Sequence, residues 1–147
     1  MPKIIIFYYS RTGNTEKMAN AIAEGAKSGA GVEVELAYYI EPDSLVDFDA
    51  ILVGAPTYYH EMPIEVKKLF EEAAAKGVSL KGKIGAAFGS YGWSGEAPKL
   101  VLEIMKNKFE MVSIEPPLLM KYTPDQNSLN ACRNLGKRVS ESLIHKV

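Results

Sequence analysis

Three runs of this chain, residues 3–9, 50–54 and 83–89, are apolar almost throughout, and each ends in a turn signal or a glycine. A strand with one wet face alternates apolar and polar residues, whereas a strand covered on both faces does not. Between the runs lie longer segments with apolar residues at helical spacing: Met18, Ala21, Ile22 and Gly25, then Val66, Leu69, Phe70 and Ala73. Leu100, Val101, Ile104 and Met105 form a third stripe, and Leu129, Cys132, Leu135, Val139 and Leu143 a fourth. The spacing predicts helices over 64–76, 98–108 and 125–146, after a first helix that begins near Glu16. Residues 32–36 alternate, as a strand with one covered face does, and 41–46 read as a turn with one helical turn. Residues 111–120 read as a fifth strand interrupted by Pro116-Pro117, which suits a sheet edge because proline donates nothing to a ladder. The order βαβ(α)βαβαβα predicts an α/β fold, a mostly parallel sheet with helices on both faces. No linker, repeat or low-complexity tract divides the 147 residues, so one domain over 1–147 is expected.

In such sheets ligands lie outside the carboxyl ends of the strands, where the strand order reverses. Three segments fall there. The first is Ser10-Arg11-Thr12-Gly13-Asn14-Thr15, between a strand end and a helix start. Helix N-termini carry unpaired N–H groups and partial positive charge, so hydroxyls beside them make a nest for a phosphate. The segment has no GK[ST] ending and no GxGxxG, which sets aside nucleoside-triphosphate and dinucleotide loops. Its bland alternative is an ordinary helix cap. The second segment is Ala55-Pro56-Thr57-Tyr58-Tyr59-His60-Glu61, and the third Gly89-Ser90-Tyr91-Gly92-Trp93-Ser94-Gly95. Loop aromatics stack on flat rings, and glycines between them let backbone approach closely. Together the three segments ask for a planar aromatic molecule carrying one phosphate. The alternative is that these rings merely plug the sheet end.

Net charge is −1, which names no partner, although residues 1–63 hold 4 Lys/Arg against 9 Asp/Glu and residues 64–147 hold 13 against 9. No interleaving of arginine and aromatics suggests nucleic acid, and no apolar run approaches the roughly 20 residues of a membrane span. The single cysteine, Cys132, reads as a buried structural thiol on a helix. With no secretory pattern at Met1-Pro2, a cytoplasmic protein is expected. No HExxH, CxxC or paired-cysteine pattern points to a metal.

At this point the chain resembles the flavodoxin family. Residues 10–15 fit its [ST]-x-T-G-N-T signature. Residues 89–95, with Lys121-Tyr122-Thr123-Pro124-Asp125 and Cys132-Arg133-Asn134-Leu135-Gly136-Lys137, look like the flavodoxin-like domain of flavodiiron proteins (A-type flavoproteins). The resemblance implies a three-layer, doubly wound fold with a five-stranded parallel sheet in the order 2-1-3-4-5, non-covalent FMN, and the short-chain type. It implies that Ser10, Thr12, Asn14 and Thr15 hold the phosphate, with backbone N–H groups from Arg11 and Gly13. Pro56, Thr57, Tyr58, Tyr59 and His60 would border the flavin ring on one side, and Gly89, Ser90, Tyr91, Gly92 and Trp93 on the other. The loop beside flavin N5 in this family often contains a glycine whose peptide flips on reduction. Residues 57–61 contain none, so a peptide needing φ > 0 is expected to cost more at Tyr59 or His60. The half-reduced flavin is accordingly expected to gain less stabilisation.

The implied function is low-potential electron transfer between redox partner proteins, a donor reductase and an acceptor enzyme, by a monomer or weak dimer. Glu61 and Glu96 would lower the potential or are plain surface carboxylates, and His60 would couple electrons to protons or is a surface histidine. Two histidines cannot supply a flavodiiron metal centre. Two other functions stand beside this one: an FMN-dependent NAD(P)H or quinone reductase, and a non-redox binding module on the same fold.

Overall fold

The computed structural model describes residues 1–28, 31–57, 60–92 and 94–144. β1 (Lys3–Tyr8) is the hub, pairing in parallel with β2 (Glu33–Ala37) on one side and β3 (Ala50–Gly54) on the other. β3 pairs in parallel with β4 (Ile84–Tyr91). The fifth strand is in two pieces: β5 (Val112–Ser113) pairs with Ile84 and Gly85, and β6 (Leu118–Lys121) with residues 88–91. Pro116 and Pro117 lie between the pieces, and with no N–H to give they break the ladder there. The order is β2-β1-β3-β4-β5, with β6 also against β4. This is the expected α/β parallel sheet with its edge strand divided.

Side chains alternate across this sheet and both sides are covered. Ile5, Phe7, Ile51, Val53 and Ala87 face a layer made by α2 (Ile64–Ala75) and α3 (Glu96–Glu103), where they meet Val66, Leu69, Phe70 and Val101. Ile4, Ile6, Leu52, Ala86 and Phe88 face α1 (Asn14–Lys27) and α4 (Gln126–Ile144), and meet Met18, Ile22, Cys132 and Val139. Double coverage is why the three strand runs showed no alternation. Each fully buried isoleucine or leucine contributes about 1.5–3 kcal/mol of transfer free energy.

Two elements differ from expectation. β4 runs on to Tyr91, because β6 supplies a partner for residues expected in a loop. The third helix ends as a wider π turn over Ile104–Lys108, with Phe109 N–H donating to Ile104 O at 3.3 Å. Met105 stays buried through that turn. The last helix was expected to reach Lys146, which lies outside the described residues.

α1 and α4 meet through glycine. A Cβ at Gly25 would collide with the Arg133 carbonyl oxygen, and one at Gly136 with the Ile22 carbonyl oxygen. Ser140 Oγ donates to Ala26 O at 2.8 Å in the same seam. Cys132 is buried nearby, and burial pushes its thiol up to about 12, so it is an inert packing residue as expected. Because the obstructing atoms are backbone, Gly136→Ala is expected to cost about 2–3 kcal/mol or more. Urea denaturation measures it, and a variant within about 0.5 kcal/mol of wild type would show that the helices part easily.

Candidate functional site

At the carboxyl edge of the sheet, Tyr9 N–H donates to Gly54 O at 3.0 Å, and the chain then turns into α1. Gly13 makes that turn at φ 88, ψ −4, a left-handed conformation that glycine enters without steric cost. Ser10 Oγ accepts from Gly13 N–H at 3.1 Å and from Glu16 N–H at 3.4 Å. It thereby caps the helix from three residues upstream of the N-cap position, Gly13, and as a hydroxyl it has a proton to donate as well. Thr12 Oγ1 takes the Asn14 N–H at 3.5 Å. Tyr8 donates to Glu16 at 3.2 Å and braces the first turn, and burial, then the Glu16 bond, raise the tyrosine pKa. Arg11 and Thr12 are exposed, while Ser10, Gly13 and Asn14 are half-buried.

Thr15 has a different place from the other loop hydroxyls. It is 1% exposed, its Oγ1 lies 3.1 Å from Ser90 Oγ, and it accepts from Ser90 N–H at 3.3 Å. This buried pair joins the phosphate-type loop to the end of β4. Gly54 makes room for it, because a Cβ there would press on Thr15 and the Phe88 ring.

Gly89, Ser90 and Tyr91 are strand residues opposite Leu119, Met120 and Lys121, not loop. At Gly89 a Cβ would collide with the Ala55 carbonyl oxygen, so the approach of β3 to β4 already requires this glycine. Pro56 is buried as well. Gly92 is exposed and lies against Tyr122, whose ring is 3.6 Å from where a Cβ would stand. Tyr122 is 62% exposed, donates its N–H to Tyr91 O at 2.7 Å, and has Lys121 Nζ 5.4 Å from its ring centroid. Tyr58, Tyr59 and Trp93 lie outside the described residues.

The other ring-side segments are tied to each other. Thr57 Oγ1 accepts from Ala97 N–H at 3.0 Å and so caps α3 from the neighbouring loop. His60 Nδ1 lies 2.9 Å from Glu96 Oε1 and 3.1 Å from Ser94 Oγ. Hydrogen bonds from Ser94 and then His60 hold the Glu96 carboxyl down at about 2. His60 sits at φ 65. The left-handed state expected to be costly in this glycine-free loop is therefore the conformation the fold already holds.

These residues fit FMN at its phosphate end: neutral hydroxyls of Ser10 and Thr12, the Asn14 amide and the α1 N-terminus form a donor set for a monoester phosphate with no lysine. On the ring side, exposed Gly92 lies against the exposed Tyr122. Ser94, Glu96 and Tyr122 were not among the residues expected to hold the ring. Glu96 meets His60 across 36 positions, a separation no local pattern marks. Tyr122 was visible only as part of the motif at 121–125.

Two expectations follow. Thr15→Val keeps shape but leaves Ser90 short of its buried partner, and should cost about 1–3 kcal/mol in chemical denaturation. For Glu96, whose carboxyl is lowered from 4.5 to about 2 on folding, the stability it adds is present above pH 4.5 and lost as pH falls toward 2. The gap in melting temperature between wild type and Glu96→Gln should therefore be flat above about pH 5 and close in acid. A gap that widens on acidification would contradict the assignment.

The flavodoxin family model matches residues 6–136. The chain is 36% identical over 148 residues to the type A flavoprotein fprA of Rhodobacter capsulatus, covering 95% of this chain and 33% of that protein. It is 30% identical over 160 residues to a flavodoxin of Aquifex aeolicus, covering 96% of this chain and 86% of that one. A solved archaeal flavodoxin superposes with a TM-score of 0.89 at 39% identity, over 97% of this chain and 99% of that one. The chain thus spans about a third of the longer relatives, such as the Rhodobacter protein, and most of the short ones. Among the described residues no helix is long and apolar enough to cross a membrane. This chain belongs to the flavodoxin family, whose members bind FMN and transfer electrons.

Proposed function

We propose that this chain is an electron carrier that holds FMN with its phosphate in residues 10–15 and its ring between the segments after β3 and β4. The observation that carries the reading is the convergence of three segments at one sheet edge, cross-linked by Thr15–Ser90 and by His60–Glu96. Bound FMN supplies the redox chemistry, accepting and releasing electrons one or two at a time. Ser10 and Thr12 donate to the phosphate, and the dipole of α1 offsets part of its charge. Gly92 and Tyr122 are both exposed, which suits a ring edge that exchanges electrons with another protein. Glu61 and Glu96 place negative charge on the ring side, which disfavours adding electrons there and lowers the potential. The rim carries both signs, with Arg11, Lys17 and Lys121 exposed alongside Glu16 and Glu61. Broad charge steering of partners is accordingly weak, and reduction by a protein donor should vary little with salt.

The test begins with absorption of the protein as purified and after adding FMN, followed by redox titration. Retained flavin bands with quenched fluorescence support the reading, and a protein that ignores micromolar FMN sinks it in favour of a non-redox binding module. Rapid steady-state turnover with NAD(P)H and a quinone would instead make it a reductase. Thr12→Ala is expected to weaken FMN binding roughly tenfold, as losing a charge-assisted hydrogen bond of ~1.5–3 kcal/mol does, while leaving riboflavin binding unchanged. Equal loss for both ligands would remove Thr12 from the phosphate site.

A further inference from the structure

His60 occupies the left-handed region at φ 65, which residues with a β-carbon rarely enter. Its side chain is held from the other ring-side segment. Glu96 Oε1 lies 2.9 Å from His60 Nδ1, and an ionised carboxylate can only accept, so Nδ1 carries the proton and donates. The Ser94 hydroxyl lies 3.1 Å from the same nitrogen, and it too lowers the Glu96 carboxyl by hydrogen bonding. The second carboxylate oxygen, Oε2, is buried with no hydrogen-bond partner among the described residues. The carboxylate is therefore anchored by its His60 and Ser94 side. Glu96 itself is the first residue of α3, whose next amide, Ala97 N–H, is capped by Thr57 from the loop that carries His60. The bonds of His60 to Glu96 and Ser94 and of Thr57 to Ala97 thus tie residues 57 and 60 to the start of α3.

We propose that Glu96 is a positioning residue of the ring cleft: it holds His60 in its left-handed backbone state, and cofactor affinity depends on that hold. Glycine would reach the same backbone state unaided, so the hold is needed because the position is histidine. The inference rests on the FMN-binding reading for its affinity arm and is independent of it for its backbone arm.

A double-mutant cycle tests it, with FMN dissociation constants from fluorescence quenching and a melt of each variant to confirm folding. Glu96→Ala and His60→Ala are each expected to weaken FMN binding roughly tenfold, a loss of order one hydrogen bond to a charged group. Glu96→Gln retains a carbonyl acceptor for Nδ1–H and should restore most of the affinity. His60→Gly should stay within about threefold of wild type, and in that background Glu96→Ala should add less than about threefold. A full tenfold cost of Glu96→Ala in both backgrounds would overturn the proposal, because Glu96 would then act without His60. No cost in either background would overturn it as well. In flavin-free protein, amide hydrogen exchange at His60 and Glu61 should speed up in Glu96→Ala and stay slow in Glu96→Gln. Unchanged exchange in Glu96→Ala refutes the hold whether or not the wild type binds FMN, whereas failure of the wild type to bind FMN refutes only the functional reading.

Discussion

Parallel pairing on both sides of β1 sets everything else in this molecule. Parallel neighbours need crossover connections, and covering both faces with helices buries the strands completely. Every strand then ends at the same edge, and the helices that follow start there, their first amides taking partners from the neighbouring loops, as Glu16 does from Ser10 and Ala97 from Thr57. The site is a consequence of that arrangement: residues 10–15 follow β1, 55–61 follow β3, and 92–95 follow β4. Sequence supplies the side chains, but the edge on which they meet is dictated by how parallel strands must be joined.

The layers were legible because burial writes itself into periodicity. Ile4, Ile5 and Ile6 are fully buried on alternating faces, and the helix stripes of Val66, Leu69, Phe70 and Ala73 lie inward as spacing predicts. The split edge strand was legible at Pro116-Pro117, where a missing donor has one outcome. What stayed hidden depends on partners distant in the chain. Gly89 reads as a glycine for ligand approach, yet the Ala55 carbonyl alone demands it. Ser90 and Tyr91 read as loop because nothing near them announces β6. Thr15 reads as one more phosphate hydroxyl, yet its bond is to Ser90, 75 positions away.

At His60 the backbone state depends on more than the residue itself. Taken alone, a histidine in the left-handed region is disfavoured. In the folded chain His60 holds that state while its ring meets Ser94 and Glu96, so the turn belongs to the resting structure. Propensity describes the isolated residue; the site answers to the sum of propensity and the bonds that oppose it.

α1 carries two demands at once, and they constrain each other. Its N-terminus must present Gly13, Asn14 and Thr15 beside the end of β4, while its C-terminal half must pack against α4 at backbone contact. Gly25 and Gly136 permit that contact, and the Ser140 bond to Ala26 fixes the helix along its axis. A helix is stiff over 14 residues, so its packing end sets where its loop end points. Seating at the glycine seam is thereby transmitted to the phosphate-type loop about 12–18 Å of helix away, on the ordinary rise per residue. The glycines remote from the sheet edge belong to its geometry as much as Gly13 does, since they hold the helix whose first turn lies there.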